Sequence, residues 1–283
     1  MKIQELLKFG YDTLKKVNIE TYMLDAQLLL GEALNVDKLF IITNRDMTVE
    51  DKIADEYIRL IKLREKKMPV KYIIKQAEFM GIDFFIKEGV LIPRGDTEIL
   101  VEETLKEIKI NNYKNICDVC CGSGAIGVAI AYYEEATNVI CYDISDIALE
   151  VTEENVNKHK LNHRIKVNKS DLLSDAIKNK EKFDVVVSNP PYIKKDIIDT
   201  LMEDVKNYEP FIALCGGEDG LYFYRKLVIQ SKEVLNTGGT LLFEIGYDQK
   251  EEVMKLMKDS GFKDVICIKD LSSNDRVVKG KLI

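Results

Sequence analysis

The sequence has no long apolar run, and this absence excludes a protein anchored by membrane-spanning helices. Its longest apolar stretches, such as Ile126–Ala131, are far shorter than the roughly 18–20 residues that a helix needs to cross a bilayer. The first residues also lack the apolar core of a secretory signal, because Lys2, Glu5 and Lys8 interrupt them. We therefore expect a cytoplasmic protein with no membrane partner.

Histidine and cysteine are scarce, and neither forms a pattern that would hold a metal. The two histidines, His159 and His163, lie in a charged segment that is typical of a solvated surface. The six cysteines fall mostly within apolar runs, as reduced core cysteines do, and not at the spacings of a disulfide framework. Cys117 and Cys120 have the C-x-x-C spacing of a redox pair or half a zinc site, but no second pair follows them. We expect no metal site.

Positive charge is not in excess either. The 283 residues carry 41 lysines and arginines against 48 aspartates and glutamates, a net charge of −7. A dedicated nucleic-acid binder is expected to be basic, so this balance argues against that class and predicts no direct nucleic-acid partner. The two signs nearly cancel over residues 1–85, which leaves the negative charge on residues 86–283. Hydrophobic residues, at 46%, are too many for an intrinsically disordered chain.

What the sequence does contain begins with helical periodicity. Up to about residue 67, apolar side chains recur at helical spacing, with Ile3, Leu7 and Leu14 on one stripe and Tyr57 and Leu60 on another. This pattern predicts a small helical bundle over the first 67 residues, which we interpret as the domain that recognises the substrate.

A short β-hairpin is predicted next. Pro69 ends the helical pattern, and apolar residues then alternate on both sides of Gly81, as they do in hairpins. The alternation assigns Tyr72–Ile74 to a strand. We take residues 68–89 as a hairpin linker and residues 90–283 as a second, larger domain.

Strand and helix patterns alternate through this second domain. Runs such as Val185–Val187 are apolar on both faces, as strands of a helix-covered parallel sheet are. The last two predicted strands, 265–268 and 276–279, are joined by a short turn and should pair antiparallel. The pattern predicts an α/β domain with a mostly parallel sheet and an antiparallel end.

A glycine-rich loop follows the first strand of that domain. Gly122, Gly124 and Gly127 match G-x-G-x-x-G between a strand and a helix, where backbone N–H groups can face a ligand. Asp143 ends the next strand about 20 residues later, the position from which a carboxylate accepts hydrogen bonds from ribose hydroxyls. The loop predicts a nucleoside-type cofactor but leaves open whether it is a dinucleotide or S-adenosylmethionine.

The most specific motif is Asn189-Pro190-Pro191-Tyr192, directly after a predicted strand. Two prolines cannot continue a central strand, so the chain turns there with carbonyl groups unpaired. The Asn189 side-chain oxygen and the Pro190 carbonyl can accept from a planar –NH2 group, and Tyr192 offers an aromatic face. Holding that nitrogen in line with a sulfonium methyl group would orient a poor nucleophile. The motif predicts amino or amide methylation.

At this point the chain resembles the S-adenosylmethionine-dependent amino methyltransferases, and within them the bacterial peptide chain release factor glutamine N5-methyltransferases. The segments that carry the resemblance are Pro69–Ile73, Phe79–Gly81, Val90–Arg94 with Thr97 and Glu98, Asn189–Tyr192, Tyr208–Pro210, Gly216–Gly220, Glu244–Gly246 and Asp275–Val277. The chain departs from the family pattern at Cys120, which replaces a loop glycine, and also at Lys75, Gly95-Asp96 and Phe211.

The resemblance implies a Rossmann-like class I methyltransferase domain with a seven-stranded sheet, preceded by a helical domain and a hairpin. It implies S-adenosylmethionine as cofactor. The residues that it assigns to cofactor binding are Cys120, Cys121, Gly122, Ser123, Gly124, Asp143, Asp171, Leu172 and Asn189. It assigns catalysis to Asn189 and Tyr192, and substrate binding to these two residues with Pro190, Pro191 and Arg94.

The implied substrate is the glutamine of the Gly-Gly-Gln loop in class I release factors. An acidic catalytic domain suits a basic ribosome-binding protein partner, and we expect the enzyme to be a monomer. The alternative is a nucleic-acid amino methyltransferase acting on adenine N6 or guanine N2, supported by the basic run Lys62–Lys67. An NAD(P)-dependent oxidoreductase would explain the glycine-rich loop but not Asn189–Tyr192, and a binding-only module is a third reading.

Overall fold

The structure is a computed structural model that describes residues 1–283, and its contacts divide the chain into two compact units. One unit comprises Met1–Gln76 with Met202–Tyr208, and the other comprises Ala77–Leu201 with Glu209–Ile283. None of the helices is both long and apolar enough to span a lipid bilayer.

The first unit is helical, as predicted. Its helices are α1 (Ile3–Lys16), α2 (Tyr22–Leu34), α3 (Lys38–Thr43), α4 (Asp51–Glu65) and α5 (Val70–Ile74). The predicted stripes of α1 and α4 are buried and pack with α2 around one apolar core. A buried ion pair crosses this core, where Arg64 Nε donates to Asp25 Oδ2 at 2.7 Å. Because both side chains are almost fully buried, each charge needs the other as its partner to offset the cost of leaving water.

The hairpin prediction is confirmed, but the assignment of Tyr72–Ile74 to a strand is wrong. These residues belong to α5, which starts after Pro69 and ends where Lys75 adopts a left-handed conformation. The hairpin consists of β1 (Gln76–Phe79) and β2 (Ile82–Phe85). Met80 and Gly81 between them both have positive φ, the geometry of a tight two-residue hairpin turn.

The second unit is built on a seven-stranded sheet. Its strands are β3 (Asn115–Val119), β4 (Asn138–Asp143), β5 (Ile165–Lys169), β6 (Phe183–Ser188), β7 (Leu235–Glu244), β8 (Lys263–Lys269) and β9 (Asp275–Lys281). Their spatial order is β5-β4-β3-β6-β7-β9-β8. The pairs from β5 to β7 are parallel, and β9 runs antiparallel to both β7 and β8. The predicted fold class is confirmed, including the antiparallel end.

The helices α6 to α13 connect these strands. They are α6 (Glu98–Asn111), α7 (Ala125–Tyr133), α8 (Asp146–Lys158), α9 (Ser174–Lys178), α10 (Glu203–Lys206), α11 (Phe211–Leu214), α12 (Tyr222–Val234) and α13 (Lys250–Asp259), of which α10 belongs to the first unit. After β3 the chain first adds β4 and β5 on one side, then β6 and β7 on the other. Such a switch leaves a crevice at the carboxyl ends of the central strands, where ligands of this fold class bind.

Candidate active site

A cavity of about 270 Å³ lies at this crevice. Seven of the residues predicted for the site line it, namely Cys120, Gly122, Asp143, Asp171, Leu172, Asn189 and Pro191. The other predicted residues, Cys121, Ser123, Gly124, Pro190, Tyr192 and Arg94, do not form its wall. The tertiary structure therefore brings together four segments that are far apart in the chain, and their roles stay predictions.

The glycine-rich loop is held by the carboxylate of Asp143. One carboxylate oxygen accepts from the Gly122 N–H at 2.9 Å and the other from the Ser145 N–H at 2.9 Å. Burial raises the pKa of Asp143, and the backbone N–H groups work against that shift. Each oxygen retains a second lone pair, so the carboxylate can still accept from ribose hydroxyls in the cavity.

Gly124 directly precedes α7 and cannot be replaced without strain. Its φ is 76°, and a Cβ there would lie 2.7 Å from Cγ2 of Thr152. The Thr152 hydroxyl in turn donates to the Gly122 carbonyl at 3.1 Å. Thr152 therefore braces the loop, which here means that its hydroxyl holds the Gly122 carbonyl by a hydrogen bond. Cys120, where the family has glycine, also has a positive φ, of 61°, which a residue with a Cβ adopts at a cost of about 1–2 kcal/mol.

Asp118 holds the start of α7 and does not reach the cavity. Its Oδ2 accepts from the Gly127 N–H at 2.9 Å, while its Oδ1 is buried with no hydrogen-bond partner. Burial raises the pKa of this carboxyl to about 7; the Gly127 N–H works against this and the negative charge of Asp143 adds to it. The hydrogen-bond partner of Asp118 is therefore the helix α7.

The Asn-Pro-Pro-Tyr turn follows β6, as predicted. Asn189 donates from Nδ2 to the Thr97 hydroxyl at 3.2 Å, and its side-chain oxygen accepts no hydrogen bond. The Tyr192 hydroxyl donates to Oε1 of Glu244 at 3.2 Å. Burial, together with the neighbouring Glu244 charge, raises the pKa of Tyr192 well above its ordinary value. The turn thus has an acceptor on the cavity wall and an anchored tyrosine behind it.

A second glycine-rich segment supports this turn. A Cβ on Gly216 would lie 2.7 Å from Tyr192 Cα, and one on Gly220 would lie 2.5 Å from the Tyr192 carbonyl oxygen. Gln249 donates from Nε2 to the carbonyls of Tyr192 and Gly220, at 3.0 and 3.2 Å. Gly216–Gly220 is therefore required for close packing against the turn, which explains why that segment accompanies the motif.

Arg94 lies in an ion pair. Its guanidinium is 2.5 Å from Oε1 of Glu209, whose side chain is nearly fully buried, while Arg94 itself is about two-fifths exposed. Glu209 belongs to the Glu-Pro segment that the resemblance also used. The side chain of Arg94 thus has a structural partner, and its predicted role in substrate binding stays a prediction.

Sequence reasoning missed the supporting residues and most of the apolar wall. Thr97, Glu244 and Gln249 contact the Asn-Pro-Pro-Tyr turn from three different segments, and only their membership in family motifs marked the first two. The apolar wall of the cavity includes Val90, Leu91, Ile144, Ile212, Ala213 and Phe223. No periodicity distinguishes these residues from ordinary core residues.

Comparison with known proteins agrees with the methyltransferase fold. Residues 95–207 match the family model described as "Methyltransferase small domain", and residues 5–74 match the one described as "PrmC N-terminal domain". Two solved structures share the fold at low identity. A 16S rRNA methyltransferase of T. thermophilus, in complex with AdoMet and guanosine, has a TM-score of 0.53 and 14% identity, with 74% of this chain and 50% of that chain covered. A methyltransferase from Pyrococcus furiosus has a TM-score of 0.51 and 16% identity, with 79% and 98% covered.

Much more similar relatives cover the whole chain. The release factor glutamine methyltransferase of Clostridium botulinum is 58% identical over 281 residues, with 99% of both chains covered. The protein of the same name from Clostridium acetobutylicum is 50% identical over 278 residues, with 98% of both chains covered. The fold and the cavity flanked by the Asn-Pro-Pro-Tyr turn are consistent with this full-length similarity. The chain therefore belongs to the release factor glutamine methyltransferase family.

Proposed function

We propose that this enzyme transfers a methyl group from S-adenosylmethionine to the side-chain amide nitrogen, N5, of the glutamine in the Gly-Gly-Gln loop of class I release factors. The observation that carries the proposal is the free side-chain oxygen of Asn189 on the cavity wall, in a turn that is otherwise anchored. An –NH2 group needs such an acceptor. The full-length similarity to release factor glutamine methyltransferases supports the identity of the substrate.

The cavity suits the proposed methyl donor. Asp143 has lone pairs for ribose hydroxyls, and the loop from Cys120 to Gly124 would face the methionine portion. Asp171 and Leu172 would flank the adenine. When bound, S-adenosylmethionine supplies an electrophilic methyl group on a positively charged sulfur. The apolar wall excludes water from that centre.

The chain's own contribution is to orient a weak nucleophile. An amide nitrogen reacts poorly because its lone pair is delocalised into the carbonyl group. The two N–H groups of the substrate amide would donate to the Asn189 side-chain oxygen and to the Pro190 carbonyl. These two hydrogen bonds would hold the nitrogen toward the methyl group. Positioning of this kind can supply several kcal/mol of barrier reduction. The reaction needs no strong base, because the product nitrogen can lose its proton after the transfer.

The alternative, methylation of a base in nucleic acid, has lost part of its support. The basic run Lys62–Lys67, at and just after the end of α4, was the feature that favoured it. Arg64 is buried in an ion pair with Asp25, and Lys67 donates to the Val17 carbonyl and lies 3.8 Å from Glu203. Two of its four cations are therefore occupied within the helical unit, which weakens the case for a nucleic-acid surface there.

The same reading assigns the remaining roles. We place the enzyme in the cytoplasm, because its substrate is a soluble translation factor, and we expect it to act as a monomer. Its acidic character suits a basic protein partner. Residues 1–67 would recognise the release factor, residues 68–89 would link the domains, and residues 90–283 would carry out the transfer.

Replacement of Asn189 by alanine tests the mechanism. Asn189→Ala should lower kcat for methyl transfer to release factor by roughly 10²–10³-fold, the usual cost of removing one oriented polar group from a reaction centre. Labelled S-adenosylmethionine with purified release factor measures the rate, and a release factor without the target glutamine should take no label. The exposed Asn162→Ala is the matched control. Label in stripped RNA or DNA alone, or full activity in Asn189→Ala, would contradict the proposal.

A further inference from the structure

The outer edge of β2 has no strand beside it. The hairpin is a sheet of β1 and β2 alone, so the backbone groups of β2 that point away from β1 have no strand to pair with. Unpaired backbone N–H and C=O groups are costly once they leave water, and such an edge needs another source of hydrogen bonds. Side chains of α8 supply them. Asn155 bonds with both the N–H and the C=O of Phe85, and His159 Nε2 lies 2.9 Å from the Asp83 carbonyl oxygen.

Asn155 uses both ends of its side-chain amide in these contacts. Its oxygen accepts from the Phe85 N–H at 2.6 Å, and its –NH2 group donates to the carbonyls of Phe85 and Ser123, at 3.0 and 2.9 Å. The residue is fully buried. An amide combines an acceptor with two donors, so neither a carboxylate nor an apolar side chain of similar size can make all three hydrogen bonds. The position therefore requires asparagine.

The two segments that Asn155 joins both lead into the cavity. Ser123 belongs to the glycine-rich loop and directly follows Gly122, which lines the cavity. Phe85 ends the hairpin, and the chain then continues to residues 89–91, which line the cavity as well. Loop and hairpin are far apart in the sequence. Asn155 thus connects two parts of the cavity wall that the chain itself does not hold together.

One face of α8 supports both parts of this wall. The side chains on it recur at helical spacing and are Ala148, Thr152, Asn155 and His159. Ala148 lines the cavity, Thr152 holds the Gly122 carbonyl, and the last two contact the hairpin. Because a helix is rigid over two or three turns, this face fixes the loop and the hairpin relative to each other.

We propose that Asn155 is a positioning residue for the cofactor, which holds the hairpin and the glycine-rich loop together as two walls of the S-adenosylmethionine site. Its side chain does not line the cavity, so it acts through the segments that it joins. This role rests on the proposed cofactor site and not on the identity of the methyl acceptor. It makes the hairpin a part of that site as well as a linker.

Asn155→Leu tests this role, since leucine has a similar size and removes all three hydrogen bonds. We expect the affinity for S-adenosylhomocysteine, measured by calorimetry, to fall about tenfold, because the free protein no longer holds the two walls in place. The KM for S-adenosylmethionine should rise by a similar factor. At saturating cofactor kcat should stay within about twofold, because binding restores the same arrangement. Unchanged cofactor affinity would overturn the role.

Val156→Ala is the matched control for a general loss of stability. Val156 follows Asn155 on α8 and is also buried, but it lies beside Ile165 and Val167 of β5. Its truncation should lower the free energy of unfolding in urea and leave the affinity for S-adenosylhomocysteine unchanged. Equal losses of affinity in Val156→Ala and Asn155→Leu would assign the effect to stability alone, and would overturn the positioning role.

Asn155→Asp isolates the two donors of the amide. Aspartate keeps an acceptor for the Phe85 N–H, but it sets a second oxygen against the carbonyls of Phe85 and Ser123. We expect the affinity for S-adenosylhomocysteine to fall about tenfold here too, because three oxygen atoms then meet with no hydrogen between them. Wild-type affinity in this variant would overturn the link from the hairpin to Ser123.

Hydrogen exchange tests the role in the wild type, without any substitution. The Phe85 N–H, which donates to Asn155, should exchange about tenfold more slowly when S-adenosylhomocysteine is bound, because binding stabilises the arrangement that protects it. The N–H of Leu29, in the core of the helical unit, should change much less. A Phe85 N–H that exchanges at the same rate with and without S-adenosylhomocysteine would overturn the place of the hairpin in the cofactor site.

Failure of this role can be told from failure of the proposed function, because calorimetry and hydrogen exchange need no methyl acceptor. If Asn155→Leu and the Phe85 N–H behave as expected but no release factor is methylated, the proposed substrate is wrong and the role of Asn155 stands. If release factor is methylated but Asn155→Leu binds S-adenosylhomocysteine like the wild type, the role of Asn155 is wrong and the proposed function stands.

Discussion

At the scale of single residues, two carboxylates beside the glycine-rich loop have different tasks. Asp143 faces the cavity and accepts from two backbone N–H groups while keeping lone pairs for a ligand. Asp118 is fully buried, accepts one backbone N–H and leaves its other oxygen without a partner. The difference follows from position, because Asp143 ends its strand at the crevice whereas Asp118 lies within β3.

The burial of Asp118 predicts a pH dependence of stability. Its pKa is about 7 in the folded protein, against 3.8 as the ordinary value. Between these pH values the native state binds the proton more strongly than the unfolded state, so the free energy of unfolding falls as pH rises from about 4 to 7. Asp118→Asn cannot ionise. We expect the stability of this variant relative to the wild type to improve by a few kcal/mol between pH 5 and pH 8.

Urea unfolding of both proteins at the two pH values measures this difference. The exposed Asp259→Asn serves as the control and should show no comparable change relative to the wild type. A relative stability of Asp118→Asn that is the same at pH 5 and pH 8 would show that the carboxyl is already ionised at pH 5 in the folded protein.

At the scale of elements, the two glycine-rich segments do different work. The loop between β3 and α7 curves around the cavity, and Gly124 allows Thr152 to brace it. Gly216–Gly220 instead packs against the backbone of Tyr192 and has Gln249 as its bridge. One segment shapes the proposed cofactor site, and the other holds the Asn-Pro-Pro-Tyr turn in place.

Gly124→Ala tests the first of these tasks. An alanine at φ 76° is strained, and its Cβ would displace Thr152 from its contact with the loop. We expect the affinity for S-adenosylhomocysteine to fall about tenfold, which is about 1.4 kcal/mol of binding free energy. Isothermal calorimetry measures it. Gly95→Ala is the matched control, because a Cβ there meets nothing within 4 Å; similar losses in both variants would rule out the proposed brace.

At the scale of the whole molecule, the chain forms two units with different cores. The helical unit is built around an apolar cluster crossed by the Arg64–Asp25 ion pair, and the larger unit contains every residue of the cavity wall. Cofactor binding should therefore be separable from the integrity of the helical unit. This separation is the basis for assigning recognition of the release factor to residues 1–67.

Arg64→Ala tests that separation. It leaves Asp25 charged and unpaired in the core, a change that typically costs 3–5 kcal/mol. We expect the helical unit to unfold at lower urea and the KM for release factor to rise, with the affinity for S-adenosylhomocysteine unchanged. The exposed Lys62→Ala should alter unfolding by less than about 0.5 kcal/mol. A parallel loss of cofactor affinity in Arg64→Ala would contradict the independence of the two units.

Much of this architecture could be predicted because it depends on local patterns. The strand-loop-helix around Gly122 and the turn at Pro190 follow from backbone constraints that glycine and proline impose wherever they occur. The short helix at Tyr72–Ile74 was missed because a few residues of alternating apolarity fit a strand and a helical turn equally well. In the structure this helix begins directly after Pro69 and ends at Lys75, which has a left-handed conformation.

The sequence by itself determined the fold class and the positions of the glycine-rich loop and the Asn-Pro-Pro-Tyr turn, because these depend on local patterns of residues. Only the tertiary structure decided which groups meet behind that turn. Thr97 contacts Asn189 and Glu244 contacts Tyr192, although both are distant in the chain, because α6 starts, and β7 ends, at the same crevice as β6. Such contacts join segments that are distant in the sequence, so they become defined only when the chain has folded.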